Sequence, residues 1–271
     1  MQKITDSNPE IMQGGRVWKY WIDKGIPDEK KVGYKGSSAI SHNGFRVMDF
    51  CKAWKFNGVE FGNYMSQLER YDRILGLSDE FAKVFINIVH TTNIGMSYQL
   101  NIAFGARGMG GGTLAHYEPG TKIINITKQH TKTFAHEYGH AIDFIFGTYI
   151  DQSKDSAALT YGDSEKKEIK PTGGQFRIIA NNIVNLANNC DRAGNWLIKG
   201  GYWARRTEIF ARMFEQYVAY KAKGYNHEML SGIFIDYTNM KYYCSKDYFI
   251  KKLVPQFDKF MRLFGKECNK K

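Results

Sequence analysis

The sequence predicts an α+β domain in which helices come first, a small sheet follows, and a second helical half closes the chain. Three observations carry this. Apolar residues recur at helical spacing over 79–92, with Phe81, Val84, Phe85, Ile88 and Val89 on one side. Strict alternation over 97–104 sets Tyr98, Leu100, Ile102 and Phe104 on one face, as in a half-buried strand. From Phe134 to Phe146 the side chains are apolar nearly all round, the mark of a buried helix. At 271 residues, 43% of them hydrophobic and 15% aromatic, the chain has the material for a substantial core.

Taken in order, residues 1–45 form a partly irregular N-terminal segment in which Gly14-Gly15, Gly33, Gly36 and Gly44 interrupt any long element. Within it, Val17–Ile22 is aromatic enough for a strand or an anchoring contact, and stacking of bases on its rings is the alternative. The main domain is expected over 46–271. A short helix over Arg46–Trp54 leads through a turn to a helix over Asn63–Leu75. Ser78-Asp79-Glu80 then reads as an N-cap opening a separate helix over Asp79–Thr92. After the strand at Ser97–Phe104, the stretch Gly105–Gly112 (GARGMGGG) fits a flexible hairpin loop. It lacks the lysine of a P-loop and does not fit G-x-G-x-x-G. Thr113–Tyr117 is a short return strand and Lys122–Ile126 the last strand, so the small sheet is expected to be mostly antiparallel. His116 lies on the return strand; a lone histidine is ordinarily structural, though an edge strand could carry it close to a substrate.

The apolar helix follows, with Gly147 as its stop. Residues 151–174 are polar and charged and read as a surface loop. Helices are expected over Phe176–Asn189, Thr207–Lys223, His227–Met240 and Lys246–Phe264.

Lysine and arginine exceed the acidic residues by 38 to 27, a formal net charge of +11. Such a surplus suits an anionic partner, nucleic acid included, but the basic residues are scattered, as on an ordinary solvated surface, so nucleic acid is not the favoured partner. Cys51, Cys190, Cys244 and Cys268 form no C-x-x-C pair, which argues against a cysteine zinc site and a disulfide framework and fits a reducing cytoplasm. Residues 1–15 lack the regions of a signal peptide, and no apolar run approaches a membrane span. A cytoplasmic chain without a membrane partner is the expectation; oligomeric state is left open.

The polar exceptions in the apolar helix are His136, Glu137, His140 and Asp143, which share one stripe. His136-Glu137-Tyr138-Gly139-His140 is an H-E-x-x-H sequence. One helical turn separates the two imidazoles, so they can share a Zn2+ ion while Glu137 acts on a water at that ion. Burying this stripe without partners would cost several kcal/mol; a metal and its water satisfy it at once. The alternative is a solvent-facing stripe of ordinary surface residues. Catalytic zinc usually takes a third protein ligand. In the helix from Thr207, which can cap it, Glu208, Ala211 and Glu215 fall nearly in line, and small Ala211 allows close approach to another helix. Glu208 is favoured as ligand over Glu215; against both stands an exposed Glu208–Arg212 pair with Glu215 in solvent.

Several segments together resemble the first of the large polyvalent protein-associated domains of phages and conjugative elements: GVEFGNYMSQLERYD, LNIAFGARGMGGGTLAHYEPGTKIINIT, the AHEYGHAID helix and YWARRTEIFARMFEQYV. The resemblance spans roughly Phe45 to Tyr220. The family pattern has tryptophan and leucine where Tyr138 and Ile142 stand here, neither of them a ligand position. The metal segments also look like those of anthrax lethal factor and related gluzincin peptidases. There H-E-x-x-H-A-x-D is joined by a glutamate in an E-x-F-A-x-x-F context. The gluzincin likeness implies a zincin-like fold with an H-E-x-x-H helix and a zinc metalloendopeptidase activity on a protein or peptide. It also implies His136, His140 and Glu208 as zinc ligands, Glu137 as general base, Tyr202 as a catalytic tyrosine, and Asp143 as a carboxylate orienting a ligand imidazole. The polyvalent-domain resemblance implies an origin in a phage or mobile element, and packaging in a virion or transfer into a host cell comes with that origin. Two rival expectations are a non-catalytic zincin-like docking module of a phage or conjugative particle, and a basic nucleic-acid-associated protein.

Overall fold

A computed structural model describes residues 47–62, 65, 67–105, 115–127, 132–149, 158–160, 174–223, 230 and 241–270. The expected N-terminal segment, most of the glycine-rich loop and, apart from Leu230, the helix expected over His227–Met240 lie outside these residues.

Helix α1 (Val47–Trp54) buries Val47, Phe50, Cys51 and Trp54, one face at helical spacing. After strand β1 (Gly58–Phe61) comes α2 (Gln67–Glu80), which runs without a break through a π-turn at Phe81–Phe85 into Ile86–Val89. The sequence suggested two helices with a cap at Ser78. Instead Ser78 is buried in mid-helix, where its hydroxyl accepts a hydrogen bond from the Trp54 indole at 2.8 Å. Phe81, Val84 and Phe85 of the π-turn are buried in the core. The helix stops at His90, whose φ is 58°.

The sheet has four strands, adding β2 (Asn101–Phe104), β3 (Ala115–Glu118) and β4 (Ile123–Ile126), in the order β1-β2-β4-β3. β1 pairs parallel with β2, and β2 parallel with β4; β3 runs antiparallel to β4. The sheet is therefore mixed and mostly parallel, which corrects the antiparallel expectation. The reason lies in the connections. A tight turn through Gly120 and Thr121 joins β3 to β4, whereas α2 crosses over between β1 and β2, as parallel neighbours require. β2 is shorter than the alternation suggested, because Met96, Ser97 and Tyr98 all have positive φ and form a turn. Its four residues are buried, as are those of β1 and β4, so the central strands are covered on both faces. Ile102 pairs with Val59 and Ile124; Phe104 pairs with Ile126 and with Phe61, whose ring stacks on it at 5.8 Å.

Helix α3 (Phe134–Tyr149) lies against β3, β4 and α6 (Arg206–Lys221). It does not stop at Gly147. A Cβ there would sit 2.5 Å from the carbonyl carbon of Ala158, so this glycine admits a crossing strap instead. Of the expected surface loop at 151–174, Ala158, Leu159 and Thr160 are described and fully buried, and Gly174 already begins a helix. Helix α4 (Gly174–Asn188), the short α5 (Gly194–Leu197) and α7 (Val254–Cys268) complete the helical half; α7 is entered through Lys246–Tyr248 and a π-turn at Phe249–Leu253. Aromatic rings lock the helices together: Tyr217 stacks on Phe257 at 5.0 Å, and Phe146 meets Phe176 and Phe264 at 4.9 and 5.0 Å. The observed class is α+β with a small mixed sheet and a largely helical second half. Among the described residues, no helix is long and apolar enough to cross a membrane.

Candidate metal centre

The H-E-x-x-H stripe of α3 faces α6. The two helices meet at their smallest residues: a Cβ on Gly139 would lie 2.9 Å from the Ala211 Cα and 3.3 Å from the Phe214 Cβ. This is the close approach that Ala211 suggested, and it carries Glu208, one turn before Ala211, over the histidines. On the opposite side of α3, Tyr138 is anchored in the aromatic core and donates its hydroxyl to the Ile94 carbonyl at 2.7 Å. The stripe therefore cannot rotate without dislodging a buried ring.

Glu208 Oε2 lies 3.5 Å from His136 Nε2, and Glu208 Oε1 lies 3.3 Å from His140 Nε2. One donor atom from each of the three residues falls within 4.8 Å of the others. Two imidazoles and a carboxylate so grouped could hold a metal ion, and their donor types are those that zinc takes. Glu215 is not a member of this group. It approaches His136 from the other ring nitrogen, with Oε2 3.5 Å from Nδ1.

Electrostatics follow from this crowding. Burial pulls the His136 pKa down, but Glu208 and Glu215 outweigh it and push it up to about 10. Burial raises the Glu208 pKa, yet the facing imidazoles hold the carboxyl well below the usual carboxylate range. Its place in the first turn of α6 adds the favourable end of the helix dipole. The Glu137 pKa is raised, first by burial and also by Glu208, against the lowering influence of His136, His140 and His116.

Tyr202 stands in a 3-10 turn, Gly201–Ala204, just before α6. It is 49% exposed, and its pKa is raised, first by burial and then by the neighbouring Glu208 carboxylate. The group that resemblance singled out thus borders the cluster. Arg205, not Thr207, is the N-cap residue of α6, and Thr207 is buried. Arg212 is not the exposed partner of Glu208. It is buried against the Trp196 and Trp203 rings, 5.6 Å from each centroid, and donates to the Glu208 carbonyl at 3.2 Å and to the Trp203 carbonyl. Arg212 thereby ties the Tyr202 turn to the start of α6.

Asp143 is fully buried, and its described hydrogen bonds hold the strap: Thr160 donates its backbone N–H at 2.9 Å and its hydroxyl at 2.6 Å. Burial pushes the Asp143 pKa up to about 6 against those bonds, His140 and Arg177. His116, on β3, sits 3.0 Å from Glu118, which also accepts from the Thr121 hydroxyl at 2.8 Å. Sequence reasoning missed Tyr243, whose hydroxyl donates to Glu215 at 2.9 Å. No local pattern points to it, because the contact joins a connecting segment to a helix 28 residues earlier. Compared with protein families, with curated proteins and with solved structures, the chain has no significant match.

Proposed function

We propose that this chain is a zinc-dependent metallopeptidase of gluzincin type, of phage or mobile-element origin, acting on a protein or peptide. One observation carries the reading: the Glu208 carboxylate, 68 residues beyond His140 in the chain, is delivered to both Nε2 atoms of the H-E-x-x-H pair at 3.5 and 3.3 Å. When bound, zinc supplies Lewis acidity, which polarises a carbonyl and acidifies a water molecule. His136, His140 and Glu208 hold the ion. Glu137, its pKa raised by burial, is suited to accept the proton of the attacking water and pass it to the leaving amine. The half-exposed Tyr202, beside Glu208, can donate its hydroxyl to the oxyanion of the scissile group. β3 ends the sheet beside α3 and can hold an extended peptide by main-chain pairing.

Glu137→Gln tests the assignment. The variant is expected to retain zinc at the parent's stoichiometry and to lose roughly 10²–10⁴-fold in cleavage of an unfolded protein, the usual share of a general base. Cleavage at the parent's rate would contradict it. Zinc without new chain termini from either form would favour the non-catalytic docking module, and salt-sensitive nucleic-acid binding indifferent to chelator would favour the basic-protein reading.

A further inference from the structure

His136 is approached on both ring nitrogens. Nε2 faces Glu208, and Nδ1 faces Glu215 at 3.5 Å. A neutral imidazole that ligates through Nε2 carries its proton on Nδ1, and the partner of that proton fixes the tautomer and the ring's orientation. Glu215 is buried, and the same oxygen that faces Nδ1 accepts the Tyr243 hydroxyl at 2.9 Å. Tyr243 is in turn held by its neighbours. The Tyr242 ring stacks on Trp203 at 4.1 Å, beside the Tyr202 turn. Cys244 exchanges two hydrogen bonds with the fully buried Gln216 side chain, its carbonyl accepting at 2.8 Å and its N–H donating at 3.3 Å. Three consecutive residues thus grip α6 and its leading turn at adjoining points.

We propose that Glu215 and Tyr243 are a positioning pair for His136, so that the segment before α7, which lies beyond the stretch with the family resemblance, sets the strength of the metal site. This rests on the zinc reading above. Glu215 holds the imidazole with Nε2 toward Glu208 and His140, and Tyr243 holds Glu215 in that pose. Asp143, the carboxylate first suggested for such a role, is engaged by Thr160.

The test is zinc affinity of the full chain, measured from the metal-free state by competition with a chromophoric chelator, for Glu215→Ala, Glu215→Gln and Tyr243→Phe. Glu215→Ala is expected to bind zinc about 10–100-fold more weakly, the usual effect of removing a partner of a ligand histidine. Glu215→Gln keeps an acceptor oxygen and should lose less; Tyr243→Phe should lose several-fold. The visible spectrum of the cobalt-substituted protein should change in both Glu215 variants, while the circular dichroism of the metal-free forms matches the parent. Should Glu215→Ala fail to fold, Glu215→Gln and Tyr243→Phe decide on the same readouts. Affinities within about twofold of the parent and an unchanged cobalt spectrum in the folded variants would overturn the proposal. A parent that binds no zinc would overturn the underlying reading before any variant is compared.

Discussion

His136 concentrates the chemistry of the site. Without metal, an imidazole between two buried carboxylates keeps its proton, which is why its pKa is pushed up to about 10. Zinc requires the neutral ring, so binding near pH 7.5 is expected to release about one proton per ion. The dependence of binding heat on buffer ionisation enthalpy measures this; a heat independent of the buffer would contradict it. The same shift has a definite sign for stability. A pKa raised from 6.5 to about 10 on folding stabilises the metal-free protein fully below pH 6.5, and this contribution is lost as pH rises through about 10. The metal-free melting temperature should therefore fall over that window more than that of the zinc form.

What the sequence made legible at this scale follows from locality. His136, Glu137 and His140 share one helical turn, so periodicity alone aligned them. The choice between Glu208 and Glu215 depended on where α6 crosses α3. Tyr243 carried no signal, since it reaches the site from a connecting segment.

The crossing of α3 and α6 is the element on which the centre depends. Gly139 is part of the motif, yet its contribution is steric: it lets the Ala211 backbone come close enough for Glu208 to reach both imidazoles. Gly139→Ala should force the helices apart, with a destabilisation of about 1–3 kcal/mol from overpacking and a loss of zinc affinity. Calorimetry with and without zinc checks both effects; unchanged affinity would show that the crossing has slack. Element types were largely legible, because apolar periodicity reports burial directly. Strand direction was not. Short strands such as Gly58–Phe61 hold no record of their neighbours, and β1 was hidden in a turn-rich stretch. The break expected at Ser78 failed because a polar residue that suits a cap can instead accept a buried indole proton. Gly147 misled in the same way, serving close packing where the sequence suggested a stop.

Across the whole molecule, the sheet and the helical half meet at α3, one side of which is packed in the aromatic core while its polar stripe faces α6. This brings two imidazoles and the carboxylates of Glu137, Glu208 and Glu215 into one largely buried environment, an arrangement whose desolvation cost a bound cation would offset. The scattered surplus of 38 basic over 27 acidic residues does not enter that arrangement. The most direct test of the account is zinc per chain, by elemental analysis, in the parent and in Glu208→Ala and Glu215→Ala. The account predicts about one zinc in the parent, loss in Glu208→Ala, and a weakened but detectable ion in Glu215→Ala. A zinc-free parent, or full zinc in Glu208→Ala, would contradict it.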